Sequence, residues 1–170
     1  MSVCVVNLRP VAFVTAVFTV VCFVLSGLTV FAQPDVSASC AALMVAETGE
    51  LIYGKNEHDR RSMASTTKIM TSLLAIEALT PQTKITVSAD MLNVEGTSMG
   101  LLPGDTVTLE GLVYGMLLQS GNDAANVTAI TLGGNVENFV SMMNKRAGEI
   151  GMNDTHFETP SGLDSKEHYS

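Results

Sequence analysis

A serine and a lysine three residues apart, Ser65 and Lys68, open the run "ASTTKIMTSLLAIEAL". On a helix, residues at that spacing occupy neighbouring points of one face, so a hydroxyl and an amine can meet. A serine hydroxyl is a weak nucleophile until a base takes its proton. Lysine serves as that base only where desolvation or positive neighbours keep part of it neutral at about pH 7. The foot of an almost wholly apolar helix supplies the desolvation. The helix N-terminus adds partial positive charge, which disfavours an ammonium and favours a developing oxyanion. The chemistry implied is acyl transfer through a serine ester. S-x-x-K alone is a common pattern, and a plainer reading stays open in which Ser65 is a helix N-cap and Lys68 snorkels to water.

A second polar cluster lies in "YGMLLQSGNDAAN", where Ser120 and Asn122 stand between two apolar runs. Residues two apart do not share a helical face, so both enter one site only if Gly121 belongs to a loop. A hydroxyl and an amide placed there could relay a proton and bind a peptide carbonyl. The alternative is an ordinary helix break with Asn122 capping the next helix.

The elements that must position these residues can be read in order. Ala41 to Ala46 and Leu51 to Gly54 are short apolar runs joined by Glu47-Thr48-Gly49-Glu50, a hairpin pattern. Residues 65–79 form a helix that Thr80-Pro81 ends, because proline lacks a donor and biases its predecessor away from helix. Its apolar residues cover most faces, which predicts a buried central helix. "KITVSAD" and "TSMGLLPGDTVTL" are strand-like, with a turn at Pro103-Gly104-Asp105. Thr108 is the expected N-cap of "LEGLVYGMLLQ", and "AANVTAITLG" is a further helix ending at Gly133-Gly134. "VENFVSMMNKRAGEIG" places Phe139, Met142, Met143 and Ala147 on one side, with Gly151 as its C-terminal cap. The plan is mixed α and β, an α+β arrangement. Two good strands make no sheet wide enough to cover a central helix, so the expectation is the front part of a larger domain.

Residues 1–32 carry a single charge, Arg9, and then an uncharged run from Val11 to Ala32. With Val30-Phe31-Ala32 as a small-residue cleavage site, this reads as an export signal. An uncleaved membrane anchor is the alternative, and either places the remainder outside the cytoplasm. Residues 33–39 read as a short exported linker and 40–170 as the domain portion. Cys4 and Cys22 fall within the signal, leaving Cys40 without an intrachain disulfide partner. All 17 acidic residues follow the signal, and the whole chain has a net charge of −8, a balance that repels nucleic acid and anionic lipid. His58, His156 and His168 lack paired metal-ligand spacing, and no G-x-S-x-G elbow is present, so no metal or cofactor is expected and the histidines read as surface or packing residues.

"ASTTKIMT", "LLPGDTVTLEGLVYGMLL", "LLQSGNDAA" and "MNDTHFETPSGLD…HYS", in that order from about Ser39 to Ser170, resemble the exported low-molecular-mass penicillin-binding proteins, the serine-type D-alanyl-D-alanine carboxypeptidases. The S-x-x-K signature belongs to the penicillin-binding and β-lactamase group. The resemblance implies a β-lactamase/transpeptidase-like fold, truncated here after a hairpin, a central helix and a helical subdomain, with later sheet strands missing. It implies Ser65 as the nucleophile forming the acyl ester, Lys68 as general base, Ser120 as proton relay and Asn122 as substrate-binding amide. The implied substrate is a peptidoglycan stem peptide ending in D-Ala-D-Ala, with β-lactams as inhibitors that acylate Ser65. The family's third motif, lysine then threonine or serine then glycine, follows none of the five lysines of this chain. The 170 residues are therefore expected to be an N-terminal portion inactive alone. Rival readings are a serine β-lactamase, which usually has Asp where Gly121 stands, and a non-catalytic exported module that binds cell-wall peptide or β-lactam.

Overall fold

The computed structural model describes residues 34–78, 82–163 and 165–170. The export signal and the Thr80-Pro81 helix stop lie outside the described residues. The chain divides into two compact units, one ending at Glu57 and one spanning His58–Ser170.

The first unit holds an antiparallel hairpin of β1 (Ala41–Met44) and β2 (Leu51–Lys55), in which Ala41 faces Lys55 and Met44 faces Leu51. The first strand stops two residues short of the expected Ala46. Gly49 takes a left-handed φ of +72° and donates its N–H to the Val45 carbonyl, which draws Val45 and Ala46 into the connection. Lys55 Nζ and Tyr53 Oη tie β2 to the Val36 and Pro34 carbonyls. Leu43, Met44, Leu51 and Ile52 all remain exposed, so the hairpin buries neither face fully.

The second unit is helical. A 3-10 turn at Ala64–Thr67 leads into α1 (Lys68–Glu77). Two short strands, β3 (Lys84–Thr86) and β4 (Thr106–Thr108), pair antiparallel with Ile85 opposite Val107. Next come α2 (Leu109–Gln119), α3 (Asn122–Gly133) and α4 (Val136–Glu149). The Thr108 side chain caps α2 as expected, accepting the Gly111 N–H at 3.0 Å. At the far end of α4, Gly151 and Met152 donate to the Gly148 and Ala147 carbonyls, a Schellman closure with glycine at φ +86°.

The expectation for the central helix holds only in part. Helix α1 buries Lys68, Met70, Thr71, Ser72 and Ala75, but Ile69 is 63% and Ile76 59% exposed. The helix buried on every side is α3, where all residues from Asn122 to Ala129 are buried. The reason is girth. Ala124, Ala125 and Ala129 let neighbours close in, and a Cβ on Gly133 would fall 2.7 Å from the Phe139 nitrogen. Two apolar clusters flank α3. Ala75, Ile85, Val87, Leu109, Leu112 and Met116 pack on one side; Met70, Phe139, Met143, Ala147 and Phe157 form the other. Met142, expected on the buried side of α4, is exposed instead, because Phe139, Met143 and Ala147 already fill that stripe. Arg146 of α4 bonds both Glu77 oxygens at the end of α1, at 2.6 and 3.0 Å.

Candidate active site

The start of α1 is an irregular turn. Ala64 sits at φ +44°, a left-handed conformation that costs a residue with a Cβ on the order of 1–3 kcal/mol. The 3-10 turn leaves Ser65 exposed and Lys68 buried at 1%. The plainer reading of this pair fails on both counts: no side-chain cap is made at this helix start, and the lysine does not reach water. Lys68 Nζ lies 3.1 Å from Ser65 Oγ and donates to the Ser161 carbonyl at 2.9 Å. Desolvation alone lowers the Lys68 pKa from its ordinary value. Among the described residues no carboxylate pairs with it.

Segment 157–163 closes over this turn from behind. Thr71 Oγ1 donates to the Pro160 carbonyl at 2.6 Å. Gly162 takes φ +83°, and a Cβ there would sit 1.8 Å from the Ala64 carbonyl oxygen, so glycine is required twice over. Thr67, between the serine and the lysine, meets buried His168 Nε2 at 2.7 Å, while His168 Nδ1 accepts the Glu158 N–H at 3.0 Å. Each fixes the pitch of the turn from the side away from the hydroxyl.

The second cluster arrives from the junction of α2 and α3. Ser120 ends α2 at φ +56°, ψ +32°, and Gly121 is extended, so the two helices are separated by the loop that the Ser120/Asn122 spacing demanded. The left-handed turn brings Ser120 Oγ to 2.9 Å from Ser65 Oγ. A Cβ on Gly121 would stand 2.8 Å from Asp123 Oδ1 and 3.1 Å from the Met99 nitrogen. Asn122 is the first residue of α3 and is buried; its N–H donates to the Thr97 carbonyl at 2.7 Å and its Nδ2 to the Glu95 carbonyl at 2.6 Å. Gly96, at φ +95°, makes room, since a Cβ there would lie 2.5 Å from Asn122 Nδ2.

Four groups thus form a hydrogen-bonded line: Ser120 Oγ, Ser65 Oγ, Lys68 Nζ and the Ser161 carbonyl. An uncharged amine carries two hydrogens and one lone pair. With one hydrogen given to Ser161, its lone pair can take the Ser65 proton, and the second hydroxyl can pass a proton onward. The line suits general-base activation of an exposed serine.

Asn126, in one of two glycosylation-like triplets of the chain, is buried and donates to the Met91 carbonyl, which makes it a packing residue. Among the described residues no cluster of three or more His, Cys, Asp or Glu is placed to hold a metal. The residues missed in the sequence are Asp123, Ser161 and Gly162, while His168, read there as a surface or packing residue, is buried edge-on against Phe157. Asp123 had a legible signal, an acid in the first turn of a helix directly after the motif asparagine. Its carboxylate is buried at 5%. Burial acts to raise its pKa, but hydrogen bonds from Ser98 and from the Leu101, Met99 and Ala124 amides outweigh that and hold it below the usual carboxylate range.

A family model described as D-alanyl-D-alanine carboxypeptidase matches residues 28–170. Among curated proteins, the chain is 38% identical over 138 residues to D-alanyl-D-alanine carboxypeptidase DacF of Bacillus subtilis, covering 78% of this chain and 36% of that protein. It is 36% identical to DacD of Escherichia coli over 148 residues, 81% of this chain and 38% of that one. Among solved structures it is similar to the D-alanyl-D-alanine carboxypeptidase DacD of Francisella tularensis, with TM-score 0.77 and 38% identity over 82% of this chain and 35% of that one. It is similar also to penicillin binding protein 6B of Escherichia coli, with TM-score 0.78 and 35% identity over 84% of this chain and 48% of that one. The chain spans roughly a third to a half of the length of the relatives it matches.

Proposed function

The chain belongs to the D-alanyl-D-alanine carboxypeptidase family, and from that premise we propose that the complete gene product removes the terminal D-alanine of peptidoglycan stem peptides through an ester on Ser65. Ser65 Oγ attacks the carbonyl carbon of the penultimate D-alanine as its proton passes to Lys68 Nζ. The peptide C–N bond breaks, and Ser120 relays a proton to the departing amine, so that D-alanine leaves as a neutral amine that then protonates in water. Water attacks the ester, its proton again going to Lys68, and the shortened peptide leaves as a carboxylate with the Ser65 hydroxyl restored. An amide nitrogen has two hydrogens; one of those on Asn122 meets Glu95, and the other is the one assigned to a substrate carbonyl.

The observation that carries this reading is the buried lysine, its charged form disfavoured, 3.1 Å from an exposed serine that a second serine also contacts. A serine β-lactamase finds no support in the loop, because the Asp usual in that class would need room that Asp123 and Met99 already occupy at Gly121. The export pattern of residues 1–32 supports action on the outer face of the cytoplasmic membrane, in the periplasm or cell wall, where such peptides and β-lactams are met.

The test is covalent. Incubated with a fluorescent penicillin, the complete gene product should carry one label on the peptide containing Ser65, and Ser65→Ala should carry none. Label on another residue, or none on the parent protein, would count against the reading.

A further inference from the structure

Asp123 touches none of the groups in the hydrogen-bonded line, yet it is the most heavily bonded side chain near it. Its Oδ1 accepts the Met99 N–H at 2.9 Å and the Ala124 N–H at 2.9 Å. Its Oδ2 accepts Ser98 Oγ–H at 2.6 Å and the Gly100 and Leu101 N–H groups at 3.0 Å each. Four of these five donors come from residues 98–101, so one buried carboxylate binds that segment to the first turn of α3.

The same segment reaches back to the motif loop. Thr97 Oγ1 donates to the Ser120 carbonyl at 2.7 Å, and the Thr97 carbonyl receives the Asn122 N–H. Ser120 is in a left-handed conformation that a residue with a side chain rarely adopts, so something must hold its peptide. The Gly115 carbonyl accepts the Ser120 and Gly121 N–H groups, as at an ordinary left-handed helix end, while Thr97 holds the Ser120 carbonyl; Thr97 is itself fixed by the Asn122 N–H and by the bonds its neighbours make to Asp123.

The geometry points to Asp123 as a positioning residue for Ser120: by gripping residues 98–101 it seats Thr97 under the Ser120 carbonyl and so keeps Ser120 Oγ against Ser65 Oγ. This rests on the proposed acyl transfer at Ser65, since it assigns Asp123 a part in that reaction. It makes Asp123 neither acid nor base there. Asparagine at this place would turn an NH₂ toward backbone N–H groups that now meet an oxygen, releasing one side of the grip.

A double-mutant cycle separates this part from a merely structural one. The rate of acylation by fluorescent penicillin is measured in the complete gene product and in its Asp123→Asn, Ser120→Ala and doubly substituted forms, at a temperature where circular dichroism shows each folded. If Asp123 acts through Ser120, Asp123→Asn slows the parent on the order of 30-fold but slows the Ser120→Ala form less than about 3-fold. Ser98→Ala, which removes one donor of five, should slow the parent about 3-fold and the Ser120→Ala form hardly at all; it carries the test should Asp123→Asn fail to fold. Equal losses in both backgrounds, or no loss in the parent, would overturn Asp123's part while leaving the acyl transfer standing. A parent protein that takes no label overturns the reading beneath it, which is a different result.

Discussion

The two loops that meet at Ser65 solve one problem by opposite means. Both carry a strained residue, Ala64 at φ +44° and Ser120 at φ +56°, and both depend on a glycine that another segment touches. Among the described residues the Ser65–Lys68 turn has no carboxylate partner; it is held by burial, by the Pro160 and Ser161 carbonyls, by the Thr67–His168 bond and by the Gly162 approach. The Ser120–Asn122 loop is held around an ionised carboxylate, Asp123. The difference reflects what each must deliver. A base has to stay uncharged, so a carboxylate beside Lys68 would raise its pKa and defeat it. A relay needs only to stay in place, and a buried anion with five donors fixes a loop more firmly than neutral contacts do. Charge is kept from one side of the site and used on the other.

Replacing each centre with a neutral mimic should break the comparison most sharply. Lys68→Met is expected to slow acylation by about 10²–10⁴-fold, the usual worth of a general base; relief of a buried amine offsets the lost bond to the Ser161 carbonyl, so only a small change in melting temperature is expected. Asp123→Asn should lower it, because backbone donors lose their acceptor. Calorimetry on both variants checks the pair, and a larger drop in melting temperature for Lys68→Met than for Asp123→Asn would contradict the contrast.

The two glycines should differ next. Gly162→Ala combines φ +83° with a Cβ at 1.8 Å from backbone, and should cost on the order of 1–3 kcal/mol or more in denaturant unfolding along with most of the labelling rate. Gly121→Ala keeps an ordinary φ of −64°, so it lacks the backbone-conformation penalty and should cost less, about 1–2 kcal/mol, from overpacking against the fixed Asp123 carboxylate at 2.8 Å and the Met99 nitrogen at 3.1 Å. Equal costs would contradict the rigidity assigned to the turn at Ala64.

The smallest effect is in pH. Both groups have lowered folded pKa values. For Asp123, the unfolded chain binds more protons in acid, so its stabilisation is complete above the unfolded value of about 3.9 and is lost as pH falls through the folded one. For Lys68, the unfolded chain binds more protons in alkali, so stability rises with pH from the folded pKa up to about 10.4. Melting curves against pH should lose the alkaline rise in Lys68→Met and the acid fall in Asp123→Asn.

Much of this was legible in the sequence, for identifiable reasons. Thr108 announced its helix, and the S-x-x-K spacing with the Ser120-Gly121-Asn122 loop placed the side chains that do meet. The parts that stayed hidden depend on sequence-distant backbone. The Ser161 carbonyl reaches Lys68 from 93 residues away and has no side-chain signature. The helix most buried is not the greasiest but the thinnest, since Ala124, Ala125 and Gly133 matter for what they leave out. A hydropathy pattern records the oil in a helix, not the room around it.

The central claim is that burial disfavours the charged form of Lys68 beside Ser65, and its titration tests that most directly. In protein labelled with 13C-lysine, the Cε resonance absent from Lys68→Arg should titrate below the ordinary lysine value of about 10.4. A midpoint at or above that value would show that burial does not disfavour the ammonium and would contradict the assignment of Lys68 as base.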